Sequence, residues 1–239
     1  MTDYRLFGLW KNPFEHHLLD AHIERSVDIE LAAIFEEIRR GGRKKAVISL
    51  GGSEGYGKTE TLQILEAKAN KEGIFSIFSD ARDISIIRDK IVKRPKILKL
   101  KSKKDASLEK VIVSAMNKHK PSLLLLDNLQ MPEQNIVNSI FDELESGMVV
   151  FSCSKCEARD FPLLELPPLT DEEAVLIVEK RLALFRYSQN MNSLYPFTRG
   201  FICKLNQDVG GKPGSLITRL DSILKDAIEK KVLRIQELM

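Results

Sequence analysis

The chain has 239 residues, of which 43% are hydrophobic and 30% are charged, with a formal net charge of +3. This composition argues against a disordered chain and indicates a globular protein with a sizeable core, in one large domain or in a core with a smaller domain beside it. No apolar run approaches the roughly 20 residues needed to cross a bilayer, and the first residues lack the apolar centre of a signal peptide. We therefore expect a cytoplasmic protein with no membrane partner.

Short apolar runs alternate with helical patterns through the first two thirds of the chain. The first helix is predicted from about Asp28 to Arg40, where two glycines end it. The predicted strands are residues 46–50, 74–78, 97–100, 123–127, 148–153 and 163–166. The other predicted helices in this part are residues 59–71, 84–92, 107–118 and 133–144. This alternation predicts an α/β fold in three layers, with a central parallel sheet covered on both faces.

The pattern changes after Pro167-Pro168, where only helical signals remain. Thr170 and Glu173 have the spacing of a capping box at the start of a helix. The predicted helices are residues 171–186, 194–208 and 213–232. We therefore place a domain boundary near residue 168, with a core at residues 1–168 and a small all-α domain at residues 169–239.

The most informative motif lies between the first predicted strand and the helix that follows it. It fits the pattern G-x-x-x-x-G-K-[ST] at every fixed position. In such a P-loop the backbone N–H groups and the positive end of the helix face phosphate oxygens. The lysine reaches the β- and γ-phosphates, and the threonine hydroxyl binds Mg²⁺. We therefore predict a site for ATP or ADP with Mg²⁺. Its predicted nucleotide contacts are Gly52, Ser53, Glu54, Gly55, Tyr56, Gly57, Lys58, Thr59 and Glu60.

An acid ends the four-leucine strand that follows. Asp127 can hold Mg²⁺ opposite Thr59, usually through a water molecule. Asn128 occupies the place where many ATPases of this type have a glutamate that polarises the attacking water. An asparagine can hold a water molecule but cannot take its proton, so we expect slow hydrolysis, with Lys58, Asp127 and Asn128 as candidate catalytic residues. Glu133 could supply the missing carboxylate, or it could simply be a surface residue at a helix start.

A strongly basic segment lies before the four-leucine strand. Between residues 82 and 120 there are thirteen lysines or arginines and four acids. Seven basic residues fall within twelve positions that contain no acid: Lys93, Arg94, Lys96, Lys99, Lys101, Lys103 and Lys104. A cationic surface of this kind neutralises phosphates, and its binding weakens with salt. DNA, bound without sequence readout, is the predicted partner; the alternative is a solvated lysine-rich loop of the kind found in proteins from hot environments.

Several sequence features together resemble the AAA+ ATPases. They are the P-loop, the strand at residues 123–127 that ends in an acid, the strand that ends at Ser152-Cys153-Ser154 and the turn at residues 210–214. The resemblance is strongest to the branch that holds origin-recognition initiators, ExeA-type transposition helpers and STAND ATPases. The opening residues 7–15 are similar to the start of the ExeA-type proteins. The resemblance covers about residues 5–225 and implies a P-loop core followed by a helical lid.

The resemblance also implies roles for residues near the nucleotide. Ser154, or failing that Ser152, occupies the sensor-1 place, where a polar side chain contacts the γ-phosphate or the attacking water. Arg159 lies where related chains keep an arginine finger that acts on the nucleotide of a neighbouring subunit. The alternative for the serine is an ordinary residue at a strand end, and the alternative for Arg159 is an ordinary surface arginine.

The turn at residues 210–214 corresponds to the sensor-2 turn of the lid. Pro213 matches the proline that lies near the nucleotide in STAND relatives. Initiator-type relatives usually carry an arginine directly after that proline, whereas this chain has Gly214. Lys212 and Arg219 are the candidate replacements.

The function implied by the resemblance is an ATPase that acts on or with DNA in replication initiation, transposition or mobile-element maintenance. It would assemble as a homo-oligomer or hetero-assembly through its nucleotide interface. Asn128 and Gly214 both disfavour a fast motor. The alternatives are a STAND-like switch, in which bound nucleotide sets the conformation, and a non-hydrolysing adaptor without DNA contact.

Overall fold

The computed structural model describes residues 3–15, 18–81, 107–130, 134–153, 161–188 and 192–235. The chain divides into two compact units. We call residues 25–53 and 58–166 the sheet unit. Residues 1–24, 54–57 and 167–239 form the helical unit. The sequence-based boundary at residue 168 lies beside the last of these divisions, but the first 24 residues group with the C-terminal helices and not with the sheet.

The sheet unit contains five parallel strands in the order β2-β3-β4-β1-β5. Their bounds are β1 (Lys45–Gly51), β2 (Phe75–Asp80), β3 (Ser122–Asp127), β4 (Gly147–Ser152) and β5 (Leu163–Glu165). Every residue of β3 and β4 is buried, which explains why these strands are almost continuous apolar runs.

Two pairs of helices cover the sheet: α1 (Ser26–Arg39) with α2 (Lys58–Lys71), and α3 (Leu108–Lys118) with α4 (Gln134–Glu143). The side chains that pack with α3 and α4 include Val47, Ile77, Leu124, Leu126, Val149 and Phe151. Because strand side chains alternate between the faces, the residues between these point to the other face, where α2 lies. The predicted three-layer α/β core is therefore confirmed.

The carboxyl ends of the parallel strands lie at one edge of the sheet. Strand β1 lies between β4 and β5, whereas the chain after β1 runs through α2 to β2, the outermost strand on the other side of β4. In open α/β sheets, ligands bind outside the carboxyl ends of the strands where the strand order reverses. Gly52, Asp80, Asp127 and Ser152 are all at or next to these ends.

The helical unit combines three helices with the start of the chain. The helices are α5 (Asp171–Phe185), α6 (Arg199–Asp208) and α7 (Pro213–Glu229). Phe7, Leu9 and Phe14 are at most 1% exposed in the core that these helices form. Two short 3-10 helices, Tyr4–Phe7 and Leu19–Ala21, shape the N-terminal segment. The described residues contain no helix that is both long and apolar enough to span a membrane.

Polar contacts fasten the N-terminal segment to α5. The backbone N–H of Trp10 donates to the carbonyl of Phe185 at 2.9 Å. Arg181, only 6% exposed, donates from Nη1 to the carbonyl of Glu15 at 2.9 Å. A buried guanidinium needs such acceptors, because an unpaired buried charge costs several kcal/mol. These contacts account for the grouping of the first residues with the helical unit.

The start of α5 has the predicted capping box. The N–H of Glu173 donates to Thr170 Oγ1 at 3.1 Å, and the N–H of Thr170 donates to Glu173 Oε2 at 2.8 Å. Two of the N–H groups that a helix start leaves without partners are thereby satisfied.

Helix α6 begins at Arg199, five residues after its predicted start at residue 194. Thr198 caps it, since its side chain accepts from the N–H of Phe201 at 3.3 Å. Phe197 is instead paired with Ile235 in a parallel bridge. The apolar residues before Thr198 are therefore taken up by non-helical packing.

Candidate nucleotide-binding site

The P-loop begins directly where β1 ends. The carbonyl of Gly51 accepts a hydrogen bond from the N–H of Leu166 at 3.2 Å, which fixes this strand end. Gly52 has a φ of 115°, and a Cβ at this position would lie 2.9 Å from the Leu166 carbonyl oxygen. Both the backbone conformation and the close approach therefore require glycine at the first position of the motif.

Lys58 directs its ammonium group back along the loop. Its Nζ donates to the carbonyls of Gly52 at 2.6 Å and Ser53 at 3.2 Å. Lys58 is also the first residue of α2, whose N-terminus carries partial positive charge. A cation and a helix N-terminus therefore coincide at the point where the motif predicts phosphate.

The two predicted magnesium ligands lie side by side. Thr59 Oγ1 donates to Asp127 Oδ2 at 2.6 Å, although 68 residues separate them in the sequence. Asp127 is 4% exposed, whereas Thr59 faces solvent. A hydroxyl and a carboxylate are oxygen donors of the kind that Mg²⁺ prefers. Nowhere in the described ranges do three or more His, Cys, Asp or Glu side chains gather as a metal-binding group. The contact itself makes Thr59 and Asp127 the candidate magnesium site.

Ser152, at the end of β4, holds the other oxygen of the same carboxylate. Its hydroxyl donates a short hydrogen bond to Asp127 Oδ1 and accepts from the N–H of Asn128 at 3.0 Å. The orientation of the carboxylate is thereby fixed from both sides, by Ser152 and by Thr59. The resemblance makes Ser152 the second choice for a γ-phosphate contact, and in the structure its hydroxyl is engaged with Asp127.

Asn128 adopts a left-handed backbone conformation with a φ of 57°. Asparagine tolerates this conformation better than most residues. Its side-chain Nδ2 donates to Asp80 Oδ2 at 3.1 Å. Asp80 ends β2 and is aligned in register with Asp127. Asp80 is not predicted from the sequence, where its only signal is an acid at the end of the strand before the basic segment.

Pro213 is the first residue of α7, a position that suits proline because its missing N–H needs no helical partner. Within the helical unit, Lys212 lies against Gly55, where an added Cβ would be 3.7 Å from the Lys212 Cβ and Cδ atoms. Of the two candidate replacements at the sensor-2 turn, Lys212 is thus the one beside Gly55. Arg219 is exposed on α7.

The remaining predicted site residues divide into two groups. Glu54 is exposed, whereas Tyr56, Gly57 and Glu60 are half-buried. Ser154, Arg159, Glu133 and all seven basic residues between Lys93 and Lys104 lie outside the described residues. The predicted helix at residues 84–92 and strand at residues 97–100 lie outside them as well.

Comparison with known proteins places the fold. No protein-family model matches the chain, and neither does any curated protein sequence. Among solved structures, Cdc6p from Pyrobaculum aerophilum is similar with a TM-score of 0.66 and 13% identity, over 93% of this chain and 67% of that one. The Orc1 protein of Aeropyrum pernix, in complex with DNA, gives a TM-score of 0.63 and 16% identity, over 94% of this chain and 66% of that one.

A bacterial protein has a similar arrangement. Domain III of the replication initiation protein DnaA from Thermotoga maritima gives a TM-score of 0.55 and 14% identity, over 91% of this chain and 90% of that one. The chain thus spans about two thirds of the Cdc6p and Orc1 structures and nearly all of the DnaA domain. At these identities the likeness concerns the fold. The chain has the fold of the AAA+ P-loop ATPases.

Proposed function

We propose that the chain binds ATP with Mg²⁺ at the P-loop and hydrolyses it slowly. The observation that carries this proposal is the contact between Thr59 and Asp127 at 2.6 Å, directly beside a loop that fits the motif at every fixed position. A threonine at a helix start and an acid at the end of a distant strand have no local reason to meet. Their contact is accounted for by a shared task, since together they would hold a magnesium ion beside the phosphates.

Each residue of the site has a distinct task in this proposal. The backbone N–H groups of residues 52–59 cradle the phosphates, and Lys58 places its charge on the β- and γ-phosphates. Thr59 and Asp127 would hold Mg²⁺, which would supply positive charge beside the phosphates. Ser152 keeps the Asp127 carboxylate in its orientation. Slow turnover is expected because position 128 holds an asparagine, which cannot itself accept a proton as a glutamate there would.

We also propose that the chain acts with DNA and assembles through its nucleotide interface. The seven basic residues between Lys93 and Lys104, with no acid among them, support DNA contact. The similarity to the Orc1 protein in complex with DNA is consistent with it. Arg159 remains the candidate finger for a neighbouring subunit. The biological setting would be replication initiation, transposition or mobile-element maintenance.

A second candidate function is a nucleotide-dependent switch with little turnover and no DNA contact. The observation that favours it is Asn128, whose amide is hydrogen-bonded to Asp80 where a glutamate would otherwise polarise water. A switch of this kind would be purified with bound ADP and would exchange it slowly.

The first experiment measures ATP binding and hydrolysis in the wild type and in Lys58→Ala. We expect Lys58→Ala to weaken ATP binding and to abolish hydrolysis. Lys71→Ala, an exposed lysine at the other end of the same helix, is the matched control and should behave like the wild type. Equal ATP binding by wild type and Lys58→Ala would refute the P-loop assignment.

The second experiment measures binding to double-stranded DNA, and the ATPase rate with and without it, at low and at high salt. The test variant carries glutamine at Lys99, Lys101, Lys103 and Lys104. The control variant carries the same exchange at four exposed lysines elsewhere, Lys44, Lys71, Lys204 and Lys230. The test variant should bind more weakly and with a shallower salt dependence, because fewer counterions are released. If the wild type does not bind DNA at low salt, the DNA proposal is wrong and the switch is favoured.

A further inference from the structure

We propose that Asp80 is the carboxylate that orients the attacking water and takes its proton, and that Asn128 holds Asp80 in place for this task. The inference rests on the proposed function, ATP hydrolysis at the P-loop. It assigns the part of the missing glutamate to a residue on the neighbouring strand.

The position of Asp80 follows from strand register and from side-chain alternation. Strands β2 and β3 are parallel, and Asp80 is aligned with Asp127 at their carboxyl ends. Ile77 packs with α3 and α4, so Asp80, three residues later, points to the opposite face of the sheet. Leu124 and Leu126 likewise place Asp127 on that opposite face. Asp80 and Asp127 therefore leave the sheet at the same edge and on the same side, the side of α2.

The hydrogen bonds of Asp127 leave it unsuited to accept a proton from water. Its Oδ1 accepts from Ser152 and its Oδ2 accepts from Thr59, and the side chain is buried. Asp80 is half-buried, and its carboxylate accepts a hydrogen bond from the exposed side chain of Asn128. Among the carboxylates that the described chain places in this network, Asp80 is the one nearest to solvent.

The residue type at position 128 fits this arrangement. The amide of Asn128 donates to Asp80 at 3.1 Å, which only a donor can do. A glutamate at position 128 would bring a second carboxylate to Asp80, and like charges so close repel. The left-handed backbone at Asn128 also suits asparagine. Asparagine and aspartate thus form a matched pair, with the carboxylate on β2 and the amide after β3.

The chemical step is in-line hydrolysis. The water oxygen forms a bond to the γ-phosphorus, and the bond from that phosphorus to the β–γ bridging oxygen breaks. ADP keeps the electron pair of the broken bond, and Asp80 takes the proton that the water loses. The Asn128 amide keeps Asp80 oriented, and its own oxygen remains available to accept a hydrogen bond from the same water.

The test is Asp80→Asn, assayed for kcat and for ATP binding. This exchange is isosteric, and the new amide oxygen can still accept from Asn128, so a purely structural role would be preserved. If Asp80 takes the proton, kcat should fall by at least about 100-fold, the range for loss of a general base, while the Kd for ATP stays within about twofold. Asp208→Asn, an exposed aspartate in the helical unit, is the matched control and should keep wild-type kcat.

The outcomes separate this inference from the proposed function. If the wild type hydrolyses ATP, Lys58→Ala does not, and Asp80→Asn keeps wild-type kcat, the inference is wrong and the proposed function stands. If the wild type binds ATP but never hydrolyses it, both are wrong. Loss of ATP binding in Asp80→Asn would also overturn the inference, since Asp80 would then act on binding.

A swapped double variant tests the pairing with Asn128. Asp80→Asn combined with Asn128→Glu moves the carboxylate across the same hydrogen bond. We expect it to recover at least about tenfold in kcat over Asp80→Asn alone, because general-base contributions of 100-fold or more are at stake. If the double variant stays as slow as the single one, the two positions do not serve the same water, and the role given to Asn128 is wrong.

Discussion

Replacement of Ser152 by alanine tests how the Asp127 carboxylate is held. Ser152 is 1% exposed and Asp127 is 4% exposed, so neither can turn to water when a partner is lost. The serine hydroxyl donates to Asp127 Oδ1 and accepts from the N–H of Asn128. After the exchange that N–H still has Asp127 Oδ1 at 3.1 Å. The Asp127 carboxylate therefore loses one hydrogen-bond donor, whereas the N–H of Asn128 keeps an acceptor.

The expected cost follows from the charge of the acceptor. A hydrogen bond to a charged group contributes about 1.5–3 kcal/mol, so Ser152→Ala should lower the free energy of unfolding by roughly 2–3 kcal/mol. The chain offers a matched control in Ser122 on β3. Ser122 is fully buried, and its hydroxyl has no hydrogen-bond partner in the described structure. Ser122→Ala removes the same atom without breaking a bond, and should be neutral or stabilising.

The measurement is urea unfolding followed by far-UV circular dichroism for the wild type and both variants. Hydrogen exchange of the β3 and β4 amides then assigns the change to the sheet unit. We expect Ser152→Ala to expose these amides more readily and Ser122→Ala to leave them protected. Equal losses in the two variants would refute the reasoning, because the cost would then come from the volume of the deleted atom and not from its hydrogen bond.

Three further predictions concern the helical unit. Gly211→Ala should lower the free energy of unfolding by roughly 2 kcal/mol more than Gly210→Ala. A Cβ at Gly211 would lie 2.6 Å from Pro168 Cβ, whereas one at Gly210 would meet nothing within 4 Å. Equal melting temperatures of the two variants would contradict this prediction. Thr198→Ala should cost about 1 kcal/mol through the lost cap of α6 and Thr198→Ser should restore it, as measured by thermal unfolding. Arg181→Met keeps the aliphatic stem but removes the donor to the Glu15 carbonyl, so limited proteolysis should cut residues 3–15 faster; an unchanged cleavage rate would show that other contacts hold this segment.

The sequence predicted the sheet well because its strands depend on local signals. Buried parallel strands are continuous apolar runs, and their predicted bounds lie within two residues of those of β1 to β5. The P-loop has a fixed spacing set by phosphate geometry. The contact between Asp127 and Thr59 could be predicted because an acid at the end of a buried strand lies at the same sheet edge as the loop.

Asp80 could not be found in this way. Its place beside Asn128 depends on the register between β2 and β3, and register is a property of the assembled sheet. The sequence of Phe75–Asp80 does not indicate which strand it pairs with or in which register. The sequence therefore shows only that position 128 lacks a glutamate. The structure adds that the Asn128 amide donates a hydrogen bond to Asp80.

The N-terminal segment was assigned to the core for a similar reason. The apolar character of Phe7, Leu9 and Phe14 indicates burial, but it does not indicate which hydrophobic core these side chains join. In the structure the segment is also bound by polar groups distant in sequence, such as Arg181, whose burial no local pattern indicates.

The composition of the helical unit also sets the order in which the chain can fold during synthesis. Its core joins Phe7 and Leu9 to helices that end at residue 229, and Phe197 pairs with Ile235. The ribosome therefore releases the first apolar residues long before their partners exist. Residues 25–166, with only residues 54–57 set aside, can form the sheet unit in the meantime. A nascent chain of this protein should expose Phe7 and Leu9 to chaperones until α7 has emerged.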